Sequence, residues 1–191
     1  MPMTRERTRS EHDPLDELFA ADREEFVSRR ADLVRELRGA GRREDAEALA
    51  ALRKPSLPVF AANRLARRRP QEVAALLRAA QRLVAAHEER KPETLHAAHA
   101  ELRERVRALV SLAEEASGQA LSVALEQRLA TTLRQAALDP QAAELLQRGV
   151  LQHELEPAGF ERLAGLRLPE PARPRASGAS GRAGAREREA R

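Results

Sequence analysis

Apolar side chains recur every three or four positions along most of this chain, and the recurrence stops at Pro, Gly or a short polar run. That alternation is the signature of amphipathic helices separated by turns. The first is predicted over residues 14–39, with Asp13 as cap, Pro14 at the first helical position and Asp16 and Glu17 at the positive end of the dipole. Leu15, Leu18, Phe19, Phe26, Leu33, Val34 and Leu37 form its stripe, and Gly39-Ala40-Gly41 ends it. A short amphipathic helix follows over residues 42–53, with Ala46, Leu49, Ala50 and Leu52 on or near one side, and Lys54-Pro55 terminates it. Ser56 as cap, Pro58 in the first turn and Pro70 as stop predict a third helix over residues 58–68.

Pro70 opens the next helix, whose stripe runs through Val73, Leu76, Leu77, Ala80, Leu83, Val84 and His87 to the break at Lys91-Pro92. From Pro92 to Gly118 the spacing alternates by four and three through Leu95, His99, Leu102, Val106, Leu109, Ala113 and Ala116. Such a heptad seam implies antiparallel pairing with a neighbouring helix or a partner chain. Helices over residues 121–138 and 141–148 complete the pattern, the second restarted by Asp139-Pro140 and stopped by Gly149. The stretch after Gly149 is apolar but broken by Pro157 and Gly159, and is expected to fold back and cap the bundle with Phe160.

The fold class is therefore all-α, an irregular helical bundle with one long heptad-bearing helix and disordered termini. Residues 1–13 are read as a disordered N-terminus, 14–168 as the helical domain and 169–191 as a disordered basic tail. The tail is Pro, Gly, Ser, Ala and Arg without large apolar groups, so it cannot bury enough surface to offset its chain entropy. Composition agrees: the 42% of hydrophobic residues are mostly Ala and Leu, with 2% aromatics, which suits close helix packing better than sheets.

Charge changes the picture in one respect. The net charge of +4 and pI near 10.6 invite a nucleic-acid reading. The seven Arg and three Glu from Arg167 onward account for that whole excess, leaving 27 basic and 27 acidic residues before them. The basicity belongs to the tail, and the folded part is neutral. Absence of Cys excludes disulfides, thiolate metal sites and a Cys nucleophile, and fits a reducing cytoplasm. No apolar run approaches the roughly 20 residues of a membrane span, so a membrane location is not expected.

Two stretches resemble the motifs of a family of Ala- and Arg-rich helical proteins common in high-GC bacteria. One is Arg53-Lys54-Pro55 with Leu57, Phe60 and Asn63-Arg64-Leu65-Ala66-Arg67; the other is Leu133 with Ala137-Leu138-Asp139-Pro140, Gly149-Val150-Leu151 and Gly159-Phe160. Together they cover roughly residues 15–165 in the family's order, with Phe60 where the family usually carries Trp. The resemblance implies one helical unit rather than two domains, and it does not point to any activity.

Local chemistry concentrates in residues 53–69, where Arg53, Lys54, Arg64, Arg67, Arg68 and Arg69 occur without an acidic residue between them. On a helix, Arg64, Arg67 and Arg68 share one face with Phe60 among them. Guanidiniums around an aromatic could take phosphate or an acidic partner; alternatively, the Arg stems cover Phe60 and their heads reach solvent or neighbouring acids. Asn63 reads as a buried residue fixing helix register or as a base reader. The candidate anion or partner patch is thus Arg53, Lys54, Phe60, Asn63, Arg64, Arg67 and Arg68. Glu93, His96 and His99 have the spacing E-x-x-H-x-x-H, but a helical-bundle metal site needs donors from a second helix and only one copy is present, so no metal or other cofactor is expected. No nucleophile elbow, phosphate-cradling glycine loop or zinc-protease helix occurs, so no catalytic residue is nominated. The reading is a non-catalytic, cytoplasmic interaction protein that binds a protein partner or a second copy through the heptad seam or the Phe60 face, with nucleic acid as the alternative partner.

Overall fold

A computed structural model describes residues 13–89 and 91–156. The expectations for the first twelve residues, for Phe160 and for the basic tail lie outside the described residues. Nine helices are present among those described: α1 (Pro14–Ala20), α2 (Phe26–Gly39), α3 (Arg43–Ala51), α4 (Leu57–Arg68), α5 (Pro70–Glu89), α6 (Pro92–Ser111), α7 (Ala113–Ser117), α8 (Val123–Leu138) and α9 (Pro140–Arg148). None is long and apolar enough to cross a membrane.

Local chemistry sets the boundaries. The Asp13 carboxylate accepts from Leu15 N at 3.0 Å, and Asp139 Oδ1 accepts from both Gln141 N and Ala142 N at 3.0 Å, with Pro next in each case. Gly118 and Gly149 end α7 and α9 with φ near +70°, a left-handed conformation that glycine adopts without the Cβ penalty. Ser56 stands before α4 without capping it, because its hydroxyl donates to Glu154 across 98 residues of sequence.

The expected helix over residues 14–39 is in fact two. The chain leaves helix at Ala21 and re-enters at Phe26, while Phe19 and Phe26 meet edge to face across the break at 5.5 Å and 74°. Their seven-residue spacing made the stripe look continuous. No capping bond marks the break: the N-cap of α2 is Glu25 without a side-chain cap, and the Asp22 carboxylate is held by Arg64 instead.

Two apolar cores result. Leu18, Phe19, Phe26, Leu33, Val34, Leu37, Ala46 and Leu49 bind α1, α2 and α3 together, and Val150 inserts among them. The larger core joins α4 to α9. Here Leu102, Val106 and Leu109 of α6 share buried space with Val73, Leu76, Leu83 and Ala86 of α5, so the heptad seam is consumed within the chain. His99 is not on that seam: Ala98 is buried and His99 is exposed. On α5 the stripe likewise runs through Ala79 and Ala86, leaving Val84 and His87 outside, as Ala50 is on α3. On α5 and α6 the Ala beside a His takes the inward position, whereas on α3 Leu49 is inward and Ala50 outward. Arg82 of α5 forks onto Glu101 of α6 at 2.9 and 2.5 Å and holds that carboxyl below its ordinary range by hydrogen bonding.

Candidate functional site: the surroundings of α4

Helix α4 is the centre of the larger core and packs on α5, α7, α8 and α9. Pro58, Val59, Phe60, Ala61, Ala62, Asn63, Leu65 and Ala66 are all buried, so apolar contact surrounds it rather than lining one stripe. This environment decides what the candidate patch does.

Asn63 is 1% exposed, and its amide makes a two-way bond to one residue: Nδ2 donates to Leu151 O at 2.9 Å, and Leu151 N donates to Oδ1 at 2.8 Å. The side chain thereby imitates a strand neighbour for a backbone segment that has left α9 and has no helical partner. Gly149 lies against the same turn. A Cβ built there would fall 2.9 Å from Asn63 O and 3.1 Å from Arg67 Cγ, so the position needs glycine for close approach as well as for its φ of +70°. The two motifs that carry the family resemblance therefore meet in one contact.

Phe60 is 4% exposed and lies beneath Arg64, whose guanidinium carbon is 5.0 Å from the ring centroid. Arg64 also donates to the Asp22 carboxylate and to Ala21 O, in the break between α1 and α2. Arg67 donates to Asp16 O at 2.9 Å and to Gly149 O at 3.4 Å, with the Asp16 carboxylate 3.9 Å away. Burial holds the Arg67 guanidinium below the usual arginine range; Asp16 opposes that effect, and Arg64 and Arg148 add to it. Its Nε is buried without a hydrogen-bond partner. Arg148 of α9 grips Asp13 at 2.8 Å and Asp16 at 3.0 Å, so the first turn of α1 is held from both α4 and α9.

The candidate residues consequently separate. Phe60 and Asn63 are buried, and Arg64 and Arg67 are engaged with α1 and its C-terminal turn. Arg69 pairs with Glu115 at 2.5 Å. Arg53, Lys54 and Arg68 are exposed, but Arg53 and Lys54 precede α4 and Arg68 ends it, about 18 Å apart along a twelve-residue helix. They share no face.

Residues outside the candidate patch join it instead. Arg23 Nε donates to Pro55 O at 3.1 Å and Arg30 Nη1 to Leu52 O. Both contacts cross more than twenty residues, and neither has a local sequence signal. Nearby, Glu154 receives Arg128 at 2.7 and 2.6 Å as well as the Ser56 hydroxyl. Burial acts to raise the Glu154 carboxyl, and the hydrogen bonds from Arg128 and Ser56 outweigh it, so the group titrates below its ordinary range.

His96 and His99 are both exposed on α6, and among the described residues no three His, Asp or Glu side chains are grouped to hold a metal ion. Compared with known proteins, the chain matches no family model, no curated sequence and no solved structure.

Several concave surfaces among the described residues are largely apolar. A groove of about 490 Å³ runs between α5 and the α8–α9 corner, floored by Leu77, Ala80, Val84, Ala137, Leu138 and Ala143. Val84 is 50% exposed and Leu138 37%, while Gln81, Glu88, Glu144 and Gln147 form the edges.

Proposed function

We propose that this is a non-catalytic helical interaction protein of the cytoplasm, and that the α5–α9 groove receives an amphipathic helix from a partner protein. The groove carries the reading: large apolar side chains lie open along a channel between helices, the setting in which one helical face docks by anchors spaced three and four apart. Its charged edge residues are Glu88 and Glu144, so the fitting helix has Lys or Arg beside its apolar stripe. A second copy fits less well. Twofold packing of the groove on itself brings the like-charged Glu88 and Glu144 edges together, and the other exposed large apolar residues among those described, Val27 and Val123, lie on separate helices. The buried polar side chains of the described core, Asn63, Ser117 and Thr132, carry no group that titrates near neutral pH, which supports a structural rather than a catalytic interior.

A photo-crosslinking side chain at position 84, with the same probe at exposed position 123 as control, tests the assignment in native lysate. The expected product is a site-specific crosslink to a helical segment with basic flanks, formed at position 84 and not at 123. Crosslinking only to another copy of this chain, or equal labelling from both positions, overturns it.

A further inference from the structure

The six cations of residues 53–69 do not act together, but the fold builds a different basic cluster at one end of that segment. Residues 52–56 carry no helix, with Leu52 and Ser56 extended. Arg30 from α2 donates to Leu52 O, and Arg23 from the α1–α2 turn donates to Pro55 O. Those carbonyls are three residues apart, at most about 10 Å. Between them stand Arg53 and Lys54, both exposed. Four cations from three parts of the chain are therefore gathered along one short extended stretch.

Among the described residues none of the four has a carboxylate within ion-pair distance, although other arginines of the fold do. Of the acids near this stretch, Asp22 is taken by Arg64 and Glu154 by Arg128 and Ser56, while Glu24 and Glu25 follow Arg23 in the chain, exposed and not paired with it. Arg23 and Arg30 each spend one recorded donor on a backbone carbonyl, which fixes the guanidinium and leaves its remaining donors for another acceptor. The two guanidiniums are thus oriented before any ligand arrives, and none of the four cations is engaged in an ion pair among the described residues.

We propose that Arg23, Arg30, Arg53 and Lys54 form a site for the phosphate backbone of nucleic acid. Guanidinium forks match phosphate oxygens two at a time, and a row of cations along an extended loop suits a row of phosphates. The three aromatic residues of the described fold, Phe19, Phe26 and Phe60, are buried, so no ring is offered to a base and binding is independent of sequence. An acidic protein segment is the weaker fit, because Pro55 is buried and Leu52 half-buried on the extended stretch, and Val27, between Arg23 and Arg30 in sequence, is a single exposed apolar side chain rather than a set of anchors. This site is separate from the α5–α9 groove and stands whether or not the groove has a partner.

The test uses the full chain and a fluorescent 20-base-pair duplex, with polyglutamate of matched charge as the second probe. Arg53→Glu with Lys54→Glu is the variant, since both side chains are exposed and neither makes a recorded contact that the fold needs. Arg103→Glu with Arg107→Glu on α6 is the control, an equal charge change on another exposed face. We expect the first pair to weaken duplex binding by roughly tenfold or more at low salt and to make the dependence of log K on log salt shallower by about 2. The control should stay within about twofold, a change too small for a lost phosphate contact. No duplex binding by the wild type, equal losses in both variants, or no loss in either overturns the site. Polyglutamate bound as tightly as duplex, and lost by the same variant, overturns the nucleic-acid assignment in favour of an acidic protein.

Discussion

The α5–α6 hairpin and the junction of α4 with residues 149–151 hold the molecule together by different means. The hairpin closes over Ala, Leu and Val at helical spacing, and any set of apolar side chains of about the right volume can serve there. The junction depends on particular atoms: the Asn63 amide on both polar groups of Leu151, Gly149 against Asn63 O, and Arg67 on the carbonyls of Asp16 and Gly149. A generic seam stabilises many arrangements of two helices, whereas a directional polar contact selects one. The lesson is that a run of Arg and Asn on an Ala-rich helix can be the inside of a joint rather than a binding face.

The contrast breaks most sharply at Asn63. Asn63→Ala leaves the Leu151 N–H and C=O buried without partners and opens a cavity, an expected cost of about 4 kcal/mol in urea unfolding. Asn63→Asp should be as severe, since a carboxylate cannot donate to Leu151 O and is buried as a charge. Gly149→Ala comes next, at about 3 kcal/mol, from a left-handed φ and a Cβ 2.9 Å from a backbone oxygen. In the hairpin, Leu102→Met keeps volume and apolarity and should cost under about 1.5 kcal/mol in the same assay. A Leu102→Met loss equal to that of Asn63→Ala would erase the distinction.

The smallest expected effect concerns acid. The Glu154 carboxyl titrates below its ordinary range, so its stabilising contribution is complete above the unfolded value and is lost as pH falls through the folded one. Glu154→Gln should therefore flatten the fall of stability below about pH 4.5. A wild-type acid profile unchanged by that substitution would show that the Arg128 and Ser56 contacts contribute nothing.

Much of this fold was legible because helix spacing, Pro and Gly are local signals. Pro14, Pro70, Pro92 and Pro140 each stand at the first position of a helix, and Gly118 and Gly149 follow the ends of two. The break at residues 21–25 was hidden because Phe19 and Phe26 keep a helical interval across it. On α6 the four-three spacing fits His99 as well as it does Ala98, and only contact with α5 settles which one faces inward. At the candidate site, residue types and their crowding were visible, but partners were not. Arg64 meets Asp22 across 42 residues and Asn63 meets Leu151 across 88, and periodicity carries no information about such pairs. The positive cluster consequently looked exposed, when half of it neutralises α1, the α1–α2 turn and α7.

The most direct measurement is amide hydrogen exchange at Leu151. This residue lies outside any helix, and its N–H is held by the Asn63 side chain alone among recorded partners. We expect it to exchange as slowly as helix-core amides such as Leu65 and Leu133, opening only with global unfolding, and to become fast in Asn63→Leu. Exchange at Leu151 as fast as at an exposed loop amide in the wild type, or slow exchange that survives the loss of Asn63, would contradict the joint.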